Sequence, residues 1–186
     1  MRVSKEQVRA NRIRIVETAS ELFRERGYDG VGVAELMSAA GLTHGGFYKH
    51  FGSKADLMSE AMNCGFTQSA ESTADMSREK FVENYLSRQH RDDMGKGCVM
   101  SALGTDTARQ SESIKATFAA GIERQLALLA NENGEGDITR ADLIDTIAHV
   151  VGALVLSRAC PDDSALADEI LDVCRSRILN KEGHED

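Results

Sequence analysis

The stretch from Gly41 to Lys54 constrains this chain more than any other. It reads Gly-Leu-Thr-His-Gly-Gly-Phe-Tyr-Lys-His-Phe-Gly-Ser-Lys. It has room for a tight turn, one short helix and the start of another. Gly41 predicts a left-handed stop to the helix before it. Thr43 predicts an N-cap, its hydroxyl accepting from an early helical N–H. Leu42 before that cap and Phe47 four residues after it predict a hydrophobic staple. Ser53 with Asp56 predicts a cap for the next helix. The rest is an odd mixture for a core element: imidazoles, a phenol, lysines and two adjacent glycines. Each glycine costs about 1 kcal/mol relative to alanine in a helix interior, so the pair suits a backbone that another surface must approach closely. The stretch is therefore predicted to be the recognition helix of a helix-turn-helix unit, pressed against phosphate and base edges. The bland alternative is that Thr43 to Gly46 is a plain loop.

The flanks fit that reading. From about Gln7 to Arg26 the apolar residues Val8, Ile15, Ala19 and Leu22 recur at helical spacing, with Val16 and Phe23 beside them. Gly27 predicts a left-handed end, with Tyr28 folding back on Phe23. A second helix is expected from Val33 to Ala40. Residues 1–14 include the basic Arg2, Lys5, Arg9, Arg12 and Arg14, and the first few residues read as an arm for phosphate or, for Arg2 and Lys5, as a frayed, solvated terminus. Net charge is −8 over 186 residues, which excludes coating of nucleic acid by bulk charge. Residues 1–54 carry nine Lys and Arg against six Asp and Glu, a net +3, and the rest of the chain stands at −11. A basic end on an acidic body is what a protein with one phosphate-facing end shows.

The pattern Ala19-x-x-Leu22-Phe23-x-x-x-Gly27-Tyr28, then Gly41-Leu42-Thr43-x-Gly45-x-Phe47-Tyr48-x-His50-Phe51-x-Ser53-Lys54, resembles the TetR family of bacterial transcriptional repressors over about residues 10–60. The resemblance implies an all-α homodimer. Residues 1–53 would be an N-terminal three-helix helix-turn-helix DNA-binding domain, and residues 54–186 a C-terminal helical domain that binds an effector and dimerises. It implies that Thr43, His44 and Gly45 face base edges and nearby backbone, and that Tyr48, His50 and Lys54 hold phosphates. Read from the residues alone, Tyr48 is also compatible with the core and His50 with an ordinary surface histidine. The sequence departs from the family at Val31-Gly32-Val33, where a hydroxyl is usual at the start of the second helix. Gly32 offers phosphate only a backbone N–H there. Gly97-Cys98-x-x-x-Ala102-Leu103-Gly104 resembles, more loosely, the start of the effector domain in one branch of such regulators.

The remainder reads as helices. Residues 67–77 are small and polar and are expected to be the end of the fourth helix and a linker. Ser77 predicts a cap for a helix with Phe81, Tyr85 and Leu86. His90 to Gly97 is expected as a charged loop, with helices beginning near Cys98 and Glu112. Asn131 to Asp142 imitates a calcium loop, but its first position is not Asp and its last is not Glu, so an exposed turn with a Thr139–Asp142 cap is preferred. Ile144 to Cys160 is apolar nearly all round, Pro161 stops it, and Ser164 opens a final helix. Helices near 139–160 and 164–180 are expected to pair with their symmetry mates in a homodimer, Gly152 and Ala153 allowing close approach; burial within one subunit is the alternative. Phe66, Phe81, Tyr85, Cys98, Met100, Phe118 and His149 are candidates to line an effector pocket, each also compatible with simple packing.

Cys64, Cys98, Cys160 and Cys174 are far apart and read as reduced, mostly buried thiols, with no metal set or redox motif. No cofactor and no membrane span are expected, and a cytoplasmic location follows by default. There is no recognisable nucleophile–base pair or phosphate loop, so an enzyme is not expected. The function expected is an effector-responsive repressor that binds double-stranded DNA at a palindromic operator and is released by a small molecule. The rival readings are a ligand-binding helical protein, or a redox sensor using Cys98 or Cys160, with little role for DNA.

Overall fold

Capping residues set where the helices begin. The computed structural model describes residues 4–74, 76–132 and 138–180. Ser4 caps α1 (Lys5–Arg26), its hydroxyl accepting from the Gln7 N–H. Ser53 caps α3 (Lys54–Thr73) through the Asp56 N–H at 3.1 Å. Between them lie α2 (Val33–Ala39) and a 3-10 helix (His44–Lys49). Ser77 and Ser87 cap α4 (Arg78–Tyr85) and α5 (Arg88–Asp92). Then come α6 (Val99–Thr107), α7 (Glu112–Glu132), α8 (Arg140–Arg158) and α9 (Ala165–Asn180). Thr139 and Asp142 form a reciprocal capping box at the start of α8. Every regular element among the described residues is helical. No helix among them is long and apolar enough to cross a membrane.

Gly27 and Gly41 take φ of 73° and 69°, in the left-handed region. At the first, the Gly27 N–H donates to Phe23 O and Tyr28 packs edge-on against Phe23, ring centroids 5.2 Å apart. At the second, the Leu42 N–H reaches back to Met37 O at 2.8 Å, the six-to-one bond of a Schellman end. Helix α3 packs against α1 on one side and α7 on the other, while α6 touches α1, α3, α7 and α8. The apolar core runs without a break from Ile15 and Phe47 to Leu154 and Leu171.

Several expectations are corrected. The third helix is a 3-10 helix, and Thr43 stands at its N-cap without a side-chain cap bond; two glycines weaken the α form there. Helix α3 ends at Thr73, inside the stretch expected to hold the end of that helix and a linker. Part of the supposed loop from His90 belongs to α5, held by the Ser87 cap. Ala153 is buried within the subunit, whereas Gly152 faces open space. Within the single subunit, Ile144 and Leu156 of α8 are exposed, which leaves the expected pairing with a second subunit open to test. Only Cys98 is buried among the four free cysteines, the others being partly exposed. Arg2 and the middle of the calcium-like stretch lie outside the described residues.

Candidate nucleic-acid interface and effector cavity

The 3-10 helix rests on an aromatic base. Phe47 and Phe51 are buried, with ring centroids 5.6 Å apart. The Arg12 guanidinium lies 4.7 Å over the Phe51 ring and makes a two-pronged ion pair with Glu60. Helices α1 and α3 thus grip the base from both sides, and Arg12, one of the basic residues near the N-terminus, is committed to that grip. Gly46 lies close to the Met37 methyl: a side chain there would begin 3.5 Å from it.

The outer edge is different. Thr43, His44, Gly45, Tyr48 and Lys49 are all exposed, Tyr48 at 71%. In a 3-10 helix residues i and i+3 eclipse, so Tyr48 stands in line with Gly45. A Cβ at Gly45 would meet nothing within 4 Å. The fold itself does not require glycine there. The absent side chain leaves bare backbone beside a phenol.

His50 is half-buried and its Nδ1 has no hydrogen-bond partner. Burial lowers its pKa below the ordinary histidine value, and the charges of Arg12 and Lys49 push the same way, so the ring is neutral at pH 7. The Lys54 ammonium donates to Tyr28 O at 2.5 Å and sits 5.8 Å from the Phe23 ring centroid. It joins the end of α1 to the start of α3, with two protons left for other acceptors. Gly32 is the exposed N-cap residue of α2, with no side-chain cap and open space around its Cα.

In the C-terminal half, a cavity of about 380 Å³ lies among the end of α3, α4, the turn before α6, and α7. Of the expected pocket residues, Phe81, Tyr85, Cys98 and Met100 line it. Phe66 lines a second cavity of about 350 Å³ between α3 and α7. Phe118 packs edge-on against Phe66 at 5.8 Å without lining either space, and His149 lines neither. His90 and Gln125 are among the lining residues that were not expected from the sequence. His90 Nδ1 meets Tyr85 O at 2.8 Å and its Nε2 takes the Cys98 N–H at 3.0 Å. Gln125, only 4% exposed, lines both cavities.

The segment carrying the aromatic base and exposed edge has known counterparts. Residues 15–61 match the family model for bacterial regulatory proteins, tetR family. Over that segment the chain is similar to TetR-family regulators. The HTH-type transcriptional regulator AcrR of Shigella flexneri is 37% identical over 59 residues, covering 32% of this chain and 27% of that protein. The HTH-type transcriptional repressor DhaR of Mycobacterium sp. (strain GP1) is 26% identical over 107 residues, 54% of each. The aligned regions thus span from about a quarter to about half the length of these curated relatives. A TetR transcriptional regulator from Chloroflexus aurantiacus J-10-FL has the same fold, with a TM-score of 0.78 at 19% identity over 96% of this chain and 97% of that one. AibR, solved in complex with isovaleryl coenzyme A and operator DNA, gives 0.56 at 20% identity, covering 90% and 97%.

The all-helical fold of that Chloroflexus regulator therefore extends along the chain. Within the matched segment, the missing hydroxyl at Gly32 is a local difference that leaves α2 intact. Lys49 is the exposed cation of the 3-10 helix that the motif comparison passed over. His90 had a sequence signal, the Ser87-x-x-His90 spacing of a helix cap, which was hidden inside a polar run. Gln125 had none, because a lone glutamine on a helix shows its burial only in the assembled structure.

Proposed function

We propose that this chain is a dimeric transcriptional repressor that reads a palindromic operator and is released by a small-molecule effector. The observation that carries the DNA-binding part is the exposed edge from Thr43 to Tyr48, polar and partly bare of side chains, on a buried aromatic base. On this reading Thr43, His44 and Gly45 meet base edges, while Tyr48, His50, Lys54 and the N–H of Gly32 meet phosphate. Neutral His50 donates a hydrogen bond there rather than a full charge. Residues 1–53 serve DNA, and residues 54–186 bind effector and dimerise. This is a regulator's division of labour and not an enzyme's.

Dimerisation is supported by the apolar residues left uncovered on α8 and α9, with Leu156 60% and Leu166 53% exposed. An effector is supported by the cavity and by the coenzyme A ligand that accompanies operator DNA in AibR. Its occupancy shifts the population toward dimers whose recognition segments no longer fit successive major grooves. The test is selection of bound genomic fragments at moderate salt. We expect a palindromic consensus, with Thr43→Ala and His44→Ala relaxing preference at particular base pairs. Lys54→Ala should weaken all sequences alike and reduce the salt dependence. Retention of no selected sequence would sink the repressor reading.

A further inference from the structure

Resting on the DNA-binding reading above, we propose that Arg14 on α1 and Lys49 at the end of the 3-10 helix are positioning residues. Each pairs with a DNA phosphate, one on either wall of the major groove that receives the exposed edge.

Sorting the basic residues by what they already hold leads to this pair. Residues 1–54 carry nine Lys and Arg. Arg12 is paired with Glu60, and Arg26 with Glu35. Arg24 is buried and spends its donors on Ser20 O, Gly97 O and the Gln68 amide. Lys54 is anchored on Tyr28 O. Lys49, by contrast, is exposed and makes no hydrogen bond or ion pair with another described residue. Arg14 is also exposed, and its side chain bonds only the neutral Asn11, at 2.8 Å. Neither cation is cancelled by a carboxylate, so each keeps its charge for a ligand.

Their positions assign the two ends. Lys5 and Arg9 are exposed near the start of α1, whereas Arg14 reaches the turn itself. A Cβ on Gly41 would lie 3.8 Å from Arg14 Nη1, so the guanidinium stands over the left-handed turn just ahead of Thr43. Lys49 closes the other end of the edge. A 3-10 helix rises about 2 Å per residue, so His44 and Lys49 are about 10 Å apart along the axis. The turn and two long side chains extend that reach, and the major groove is about 12 Å wide. Thr43, His44 and Gly45 then lie between two phosphate contacts, which fix the register in which they meet bases. His50 is held neutral by burial and by the charges of Arg12 and Lys49. Lys49 therefore brings a full charge where its neighbour brings only a hydrogen bond.

A duplex carrying the selected consensus is the probe, with affinity followed by fluorescence anisotropy over a salt series. Loss of one phosphate contact lowers the slope of log affinity against log salt by about 0.9, and by about 1.8 when both half-sites of a dimer lose it. We expect that loss from Arg14→Gln and from Lys49→Gln, and recovery of the slope in Arg14→Lys and Lys49→Arg. Lys80→Gln, an equal loss of charge on α4, should leave the slope unchanged. Melting temperatures and the preferred sequence should not move in any of these variants. Single methylphosphonate linkages, which neutralise one phosphate at a time, then place the contacts. Each Gln variant should become indifferent to one linkage that weakens the wild type, and the two linkages should lie on opposite strands. An unchanged slope in either Gln variant, an altered consensus, or two linkages on the same strand would overturn the proposal and leave DNA binding standing. Selection of no fragment by the wild-type chain would remove the DNA-binding reading and the proposal together.

Discussion

A methyl group placed on Gly45 has nowhere within the chain to collide, so alanine there tests DNA contact with little effect on folding. Gly45→Ala should hold or raise the melting temperature, through up to about 1 kcal/mol of helix propensity. It should also lower operator affinity at least tenfold by fluorescence anisotropy. His90 offers a test against pH. Its folded pKa lies below the ordinary 6.5, chiefly because it is buried. Its contribution to stability is therefore complete above about pH 6.5 and is lost as pH falls through the depressed folded value. The protonated ring would turn an N–H toward the Cys98 N–H. Melting temperatures should fall between pH 7.5 and pH 5.5, and His90→Gln should flatten that slope. The slope that remains belongs partly to His50, shifted in the same direction by burial and by its cationic neighbours.

At the level of helices, α6 is tied to α1 at both ends. Arg24, almost wholly buried, donates to Gly97 O just before α6 and to Gln68 on α3, at 3.2 and 3.0 Å. At the other end of α6, Asp106 accepts at 3.1 Å from the N–H of Tyr28, which lies just beyond the same end of α1, and Tyr28 O in turn receives Lys54. The turn that lines the cavity is thereby linked by hydrogen bonds to the helix that braces the exposed edge. Asp106→Ala should remove about 1–2 kcal/mol of stability, as loss of a hydrogen bond to a charged group does. Urea unfolding checks the loss, and faster amide exchange at Tyr28 localises it. The helix ends at Gly27 and Gly41 and the caps at Ser53, Ser77 and Thr139 were legible in the sequence, because capping is a matter of spacing within a few residues. Helix α5 was hidden: Arg88 to Asp92 has no apolar period, and its hold comes from Ser87 and from Arg91 reaching Ser157 and Cys160 on the far side of the molecule. The phase of α8 was hidden for the opposite reason. With apolar residues on all sides, nothing local separates the buried Ala153 from the open Gly152.

Across the whole molecule, the proposed function makes recognition at one end depend on apolar surface at the other. Ile144, Leu156, Leu166 and Val173 are all uncovered on α8 and α9. Leu156→Arg combined with Leu166→Arg should give monomers in sedimentation velocity with an unchanged helical spectrum. Operator affinity should drop at least a hundredfold, because two linked half-sites are replaced by one. The tyrosines follow the same long axis. The chain has no tryptophan and three tyrosines: Tyr48 stands free at the outer edge, Tyr28 is sealed where α1, α3 and α6 meet, and Tyr85 lies against the cavity. Ultraviolet emission from this protein therefore comes from three separate stations. With Tyr48→Phe and Tyr85→Phe each silencing one, the unlabelled chain can report operator docking, the joint between the domains and cavity filling as three distinguishable signals.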